Sequence, residues 1–259
     1  MKVNITDILR WEPLPFWLYF IAIAVTEALT VYLYPLAGVI IYSIMMIGFI
    51  IQSAFITDPL KRNLVLAFSL IPMVRILSLL MPLGQLSLIY RFPIIYLPLL
   101  AATITVMWVT GLKPIDIGLN LKHWPYQAIG GVISGIAIGA LEYLILGSSP
   151  LINTLTLKEF WLPALILLIT TGLVEELIFR GVLQKFAVAL MGRWGIILIS
   201  LIFATLHMGF YAWGDVVFVF LVALFFAFIA KMTRSLLGVI LSHGTANVIL
   251  FLVAPFVLS

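Results

Sequence analysis

Apolar runs separated by short polar interruptions organise this chain. Nine of them approach or exceed the ~20 residues a helix needs to cross a ~30 Å hydrocarbon core. They lie at about Pro15 to Tyr34, Leu36 to Ile56, Asn63 to Met81, Phe92 to Gly111, Pro125 to Leu146, Phe160 to Ala189, Trp194 to Tyr211, Asp215 to Lys231 and Leu236 to Leu258. Lipid cannot satisfy backbone N–H and C=O groups, and the apolar/polar alternation of a closed barrel is absent, so each run is predicted to be a helix. Pro72 and Arg75 interrupt the third, which leaves a count of eight open.

Composition gives the same answer. Of 259 residues 64% are hydrophobic and 9% charged, with a mean hydropathy of +1.26. Soluble domains carry roughly 25% charged residues, so the expected fold is an all-α, polytopic transmembrane bundle. The absence of cysteine removes thiol nucleophiles, disulfides and thiolate metal sites. A net charge of +4 and a pI near 9.4 come without any basic run, which speaks against nucleic acid and for membrane topology.

With nine helices, one side of the membrane receives Lys2, Arg10, Lys61, Arg62, Lys113, Lys122, Lys185, Arg193, Lys231 and Arg234, and the other only Arg91 and Lys158. Because Lys and Arg collect in cytoplasmic loops, the N-terminus is expected in the cytoplasm and the C-terminus outside, in a multi-pass protein of the cell membrane. The first run has no small-residue cleavage pattern at its end, so a retained N-terminus is expected. A turn-rich loop from Leu112 to Trp124 suggests a division into N-terminal helices, 1–111, and a C-terminal core, 112–259; a second such loop spans Gly147 to Glu159. Gly131, Gly135 and Gly139 recur on one face of the fifth helix and predict a close helix–helix contact.

Chemistry is sought where the bilayer must hold polar groups. An ionisable side chain at mid-membrane costs about 2.5 to 3.5 kcal/mol on insertion scales, so such residues face the bundle interior or an aqueous cavity. They are Glu27, Arg75, Glu142, Glu175, Glu176, Arg180, His207 and His243, with Asn247 as a polar amide. Glu176 and Arg180, four apart, share a face and can pair. Glu175 is turned by about 100 degrees and has no evident local cation, which leaves its carboxylate available as a general base or acid. Phe203 and His207, and His243 and Asn247, repeat the four-residue spacing on the seventh and ninth helices. Counting about 1.5 Å per residue puts Glu175, His243, Asn247 and His207 roughly 9, 12, 18 and 20 Å from the cytoplasmic face, a pocket in the cytoplasmic half.

These three segments, Glu-Glu-x-x-x-Arg at Glu175, Glu176 and Arg180, Phe-x-x-x-His at Phe203 and His207, and His-x-x-x-Asn at His243 and Asn247, resemble in order and spacing the CPBP family. Its members are CAAX proteases and bacteriocin-processing enzymes, also called the abortive-infection family, and include the Ras-converting CAAX prenyl endopeptidases. The resemblance covers about Leu157 to Leu258. It implies an intramembrane endopeptidase without cofactor or obligatory metal, acting near the C-terminus of a lipidated or membrane-embedded peptide. Glu175 would activate a water also held by His207, His243 and Asn247 would stabilise the oxyanion, and Glu176 and Arg180 would position the helix.

Other readings weigh against this one. The charged cluster suits a buried structural ion pair with a spare carboxylate, and the histidines suit interhelical hydrogen bonds. Glu27, Arg75 and Glu142 belong to no motif and are expected to pair structurally or to serve a lumenal role. Phe203 reads as packing beside His207, Ser242 as a helix hydroxyl, and His123 as a surface residue. No His-Glu-x-x-His or Gly-x-Ser-Gly motif occurs, and Gly214-Asp215 lacks a second aspartate partner. A zinc site from Glu175, Glu176, His207 and His243 stays chemically open, as does a proton-coupled transporter or self-immunity protein.

Overall fold

A computed structural model describes residues 14–80 and 84–258. Lys2, Arg10 and Met81, used above for topology and the third helix boundary, lie outside the described residues. Within them the protein is all-helical, with nine helices long and apolar enough to cross a membrane. These are α1 (Leu14–Tyr32), α2 (Pro35–Phe55), α3 (Pro59–Leu80), α4 (Leu88–Thr110), α5 (Trp124–Leu146), α6 (Leu157–Met191), α7 (Arg193–Phe210), α8 (Trp213–Thr233) and α9 (Leu237–Val257).

The third segment is one span with a break inside it. The α-helix stops at Phe68 and resumes at Leu70. Pro72 is the cause: its ring presses on the carbonyl four residues back, at Phe68, and it has no N–H to offer. The span also starts earlier than hydropathy suggests, because Asp58 caps it by accepting a hydrogen bond from the Lys61 N–H at 2.9 Å, with Pro59 in the first turn.

The glycine face of α5 lies against α9. A Cβ at Gly131, Gly135 or Gly139 would sit 2.6, 2.5 or 2.3 Å from the carbonyl oxygens of Gly238, Ser242 and Ala246. On its other side α9 meets α6, where a Cβ at Gly172 would fall 2.8 Å from the Ile240 oxygen. Clamped between two backbones, α9 has a fixed rotation, which fixes where His243 and Asn247 point. The Leu112–Trp124 loop is pinned to the α8–α9 turn: Asn120 donates to the Arg234 carbonyl at 2.8 Å, and Ser235 donates to that of Asn120 at 3.1 Å. A single apolar cluster draws on α1, α3 and α4 as well as α6 to α9, with Ile23, Phe68, Leu99, Phe179, Ile202 and Ala223 among its members.

Candidate active site

The middle of α6 is not a regular α-helix. Leu168–Glu175 and Leu177–Leu183 adopt the wider i→i+5 form, a geometry that clusters at functional sites. A wider turn advances less than 100 degrees per residue, so Glu175 and Glu176 diverge less than an α-helix would have them, and both reach toward His243.

Their contacts differ. Glu176 is fully buried; its Oε1 accepts from the Arg180 guanidinium at 2.9 Å and faces His243 Nδ1 at 2.7 Å. A ring nitrogen against a carboxylate carries a proton, so Nδ1–H donates and Nε2 is turned toward the cavity. Glu175 accepts from the Tyr96 hydroxyl, and its Oε2 lies 3.8 Å from His243 Nε2. Among the described residues Glu175 has no cation on its own helix beside it, as expected; the imidazole near it comes from another helix.

On α7, His207 Nδ1 lies 2.9 Å from the Phe203 carbonyl. Only a protonated nitrogen can bond a carbonyl, so Nδ1–H donates and Nε2 keeps its lone pair as an acceptor. Phe203 does more than pack. Its ring lies under the Arg180 guanidinium, 4.4 Å from the centroid, and meets the rings of His207 and His243 at 4.9 and 5.9 Å. This cation–π contact helps hold a buried arginine whose only carboxylate contact among the described residues is Glu176. Asn247 lines the same cavity with no hydrogen bond among the described residues.

A cavity of about 360 Å³ brings Glu175, His207, His243 and Asn247 together. Tyr96, which the sequence reading missed, lines it as well and is stacked on Phe92 with ring centroids 6.1 Å apart. It stands one turn from Phe92 in an apolar helix, and no spacing rule links α4 to α6, so only its position as a hydroxyl at mid-membrane could have flagged it. Among the described residues, no three His, Asp or Glu side chains are grouped to hold a metal ion.

The three charged residues outside the motifs divide. Arg75 holds Glu27 through two bonds of 2.8 and 2.5 Å, and Tyr42 donates to the same carboxylate at 2.7 Å, the structural pairing expected. Glu142 has no such pair among the described residues and lines the cavity instead. Ser242 shares a 2.9 Å hydroxyl contact with Ser134, the helix role expected of it.

The cavity is not confined to the Lys- and Arg-rich half of the bundle, as the depth estimate has it: from His243 and Phe226 it extends to the opposite end. It is lined by Ser78 near the end of α3, Leu88 and Arg91 at the start of α4, Glu142 late in α5 and Phe210 at the end of α7. Straight helices at a uniform rise were the faulty premise: α6 runs for 35 residues with two widened stretches, and His207 lies beyond the α-helical part of α7.

No curated protein and no solved structure matches the chain. The segment that carries all three motifs does have a match: residues 157–249 of this multi-pass membrane protein fit the family model for Rce1-like proteins, type II CAAX prenyl endopeptidases, a similarity consistent with the CPBP family.

Proposed function

We propose that the protein is an intramembrane endopeptidase that hydrolyses a peptide bond near the C-terminus of a lipidated or membrane-embedded substrate, with Glu175 as the base. The observation that supports this most is the division of labour between the twin glutamates. Glu176 gives one oxygen to both Arg180 and His243 and keeps the other buried, without a hydrogen-bond partner among the described residues, while Glu175 faces the cavity with a hydroxyl on one oxygen and an imidazole beyond the other.

Glu175 takes a proton from a water whose other hydrogen is accepted by His207 Nε2. The resulting hydroxide forms a bond to the carbonyl carbon. Negative charge develops on the carbonyl oxygen, where protonated Nε2 of His243 and the Asn247 amide donate; such donors are each worth about 2.7 to 4 kcal/mol in well-studied hydrolases. When the C–N bond breaks, Glu175 returns its proton to the leaving amine. Tyr96 holds one carboxylate oxygen throughout, so the other is aimed at the water. No step calls for a metal. The N-terminal helices contribute Tyr96 and part of the cavity wall, and so would bear on substrate choice.

The test is cleavage of a prenylated CAAX reporter peptide by purified protein, wild type against Glu175→Gln. The variant keeps shape and the Tyr96 contact but cannot take a proton, and turnover is expected to fall by a factor of roughly 10² to 10⁴. Unchanged turnover removes Glu175 as the base.

A further inference from the structure

The ends of the nine helices define two faces of the bundle. Lys61, Arg62, Lys113, Lys122, Lys185, Arg193, Lys231 and Arg234 gather at one face, and Arg91 and Lys158 stand at the other. This asymmetry orients membrane proteins with the basic face in the cytoplasm. The cavity that holds Glu175 reaches the sparsely charged face, between the end of α3, the start of α4 and the end of α7, where Ser78, Leu88 and Phe210 are exposed. A second cavity, of about 430 Å³, opens toward the basic face between Lys122, His123 and Thr233. Its lining includes Phe226 and Ser242 but none of Glu175, His207, His243 or Asn247. The Ser134–Ser242 contact and the Gly135 approach to the Ser242 oxygen close α5 onto α9 there.

We infer that the catalytic cavity draws its substrate from the non-cytoplasmic side, so that the substrate is a membrane-anchored peptide whose scissile bond is presented from the outer leaflet. The word substrate rests on the proteolytic reading; the direction of opening does not. A bond exposed only in a cytoplasmic tail would meet the second cavity and, behind it, the Phe226 ring and the α5–α9 contact.

The chain has no cysteine, so single-cysteine variants report without background. Ser78→Cys and Leu88→Cys probe the mouth of the catalytic cavity, and Lys122→Cys the second one, all at exposed positions. In intact cells a membrane-impermeant maleimide is expected to label the first two, with Lys122→Cys reacting only after permeabilisation; all three label in detergent. Labelling Ser78→Cys is expected to lower cleavage of a lipidated reporter at least tenfold. The inference is overturned if Lys122→Cys reacts in intact cells while the mouth positions wait for permeabilisation, or if modification at position 122 is what blocks cleavage. Expected labelling with no cleavage by any variant or by wild type refutes the protease and leaves the direction of opening standing.

Discussion

Glu175 and Glu176 are adjacent in sequence, yet substituting them is expected to fail in opposite ways. Removing the carboxylate of Glu176 strands the buried Arg180, 5% exposed, and frees Nδ1 of His243. Breaking a buried pair by deleting one partner costs about 3 to 5 kcal/mol. Glu176→Ala should therefore lower the thermal unfolding midpoint of the detergent-purified protein, whereas Glu175→Gln should lose turnover at an unchanged midpoint. A shared loss of stability would mean that Glu175 is structural too. Tyr96 supplies a second test at this scale. Tyr96→Phe deletes one hydrogen bond to a carboxylate, worth about 1.5 to 3 kcal/mol, so kcat is expected to drop roughly 10- to 100-fold with little change in KM. A change confined to KM would move Tyr96 from positioning the base to contacting substrate. The sequence announces Glu176 and Arg180 as partners because four-residue spacing is local geometry. It is silent on Tyr96 and on the Glu176–His243 bond, which join residues 79 and 67 positions apart.

Among the elements, α9 is held by its neighbours' missing side chains. Adding even a methyl at Gly139 would put a carbon 2.3 Å from the Ala246 oxygen, so α5 and α9 must part, whereas Gly48 on α2 has open space around its Cβ position. Overpacking of this kind typically costs about 1 to 3 kcal/mol. Gly139→Ala is expected to lower both thermal stability and cleavage, since it displaces the helix carrying His243 and Asn247, while Gly48→Ala should match wild type in both assays. Equal behaviour of the two variants would show that the contact positions nothing. The four-residue glycine repeat made the contact legible before any coordinates, because a period alone tells which residues share a face. The widened turns of α6 were not legible. Nothing in the Leu168–Leu183 sequence demands i→i+5 bonding, and tertiary contacts to α9 and α4 act on that segment instead.

For the molecule as a whole, the apolar cluster and the Tyr96–Glu175 bond join the N-terminal helices to the family-matched segment 157–249. The proposed chemistry needs only side chains and water. Cleavage by the purified protein is accordingly expected to persist, within twofold, through dialysis against a zinc chelator; a loss reversed by added zinc would replace the glutamate-base mechanism with a metal-assisted one.

By itself, the sequence determined that this protein is a bundle of membrane-spanning helices and which polar side chains that bundle must shelter. Both follow from local quantities, the length and period of apolar runs and the cost of a charge in hydrocarbon. Only the tertiary structure decided which carboxylate is occupied by Arg180 and His243, that a tyrosine from α4 holds the other, and at which face the cavity opens. Those depend on helix rotation, tilt and close approach, which arise between segments distant in the chain and leave no periodic mark within any one of them.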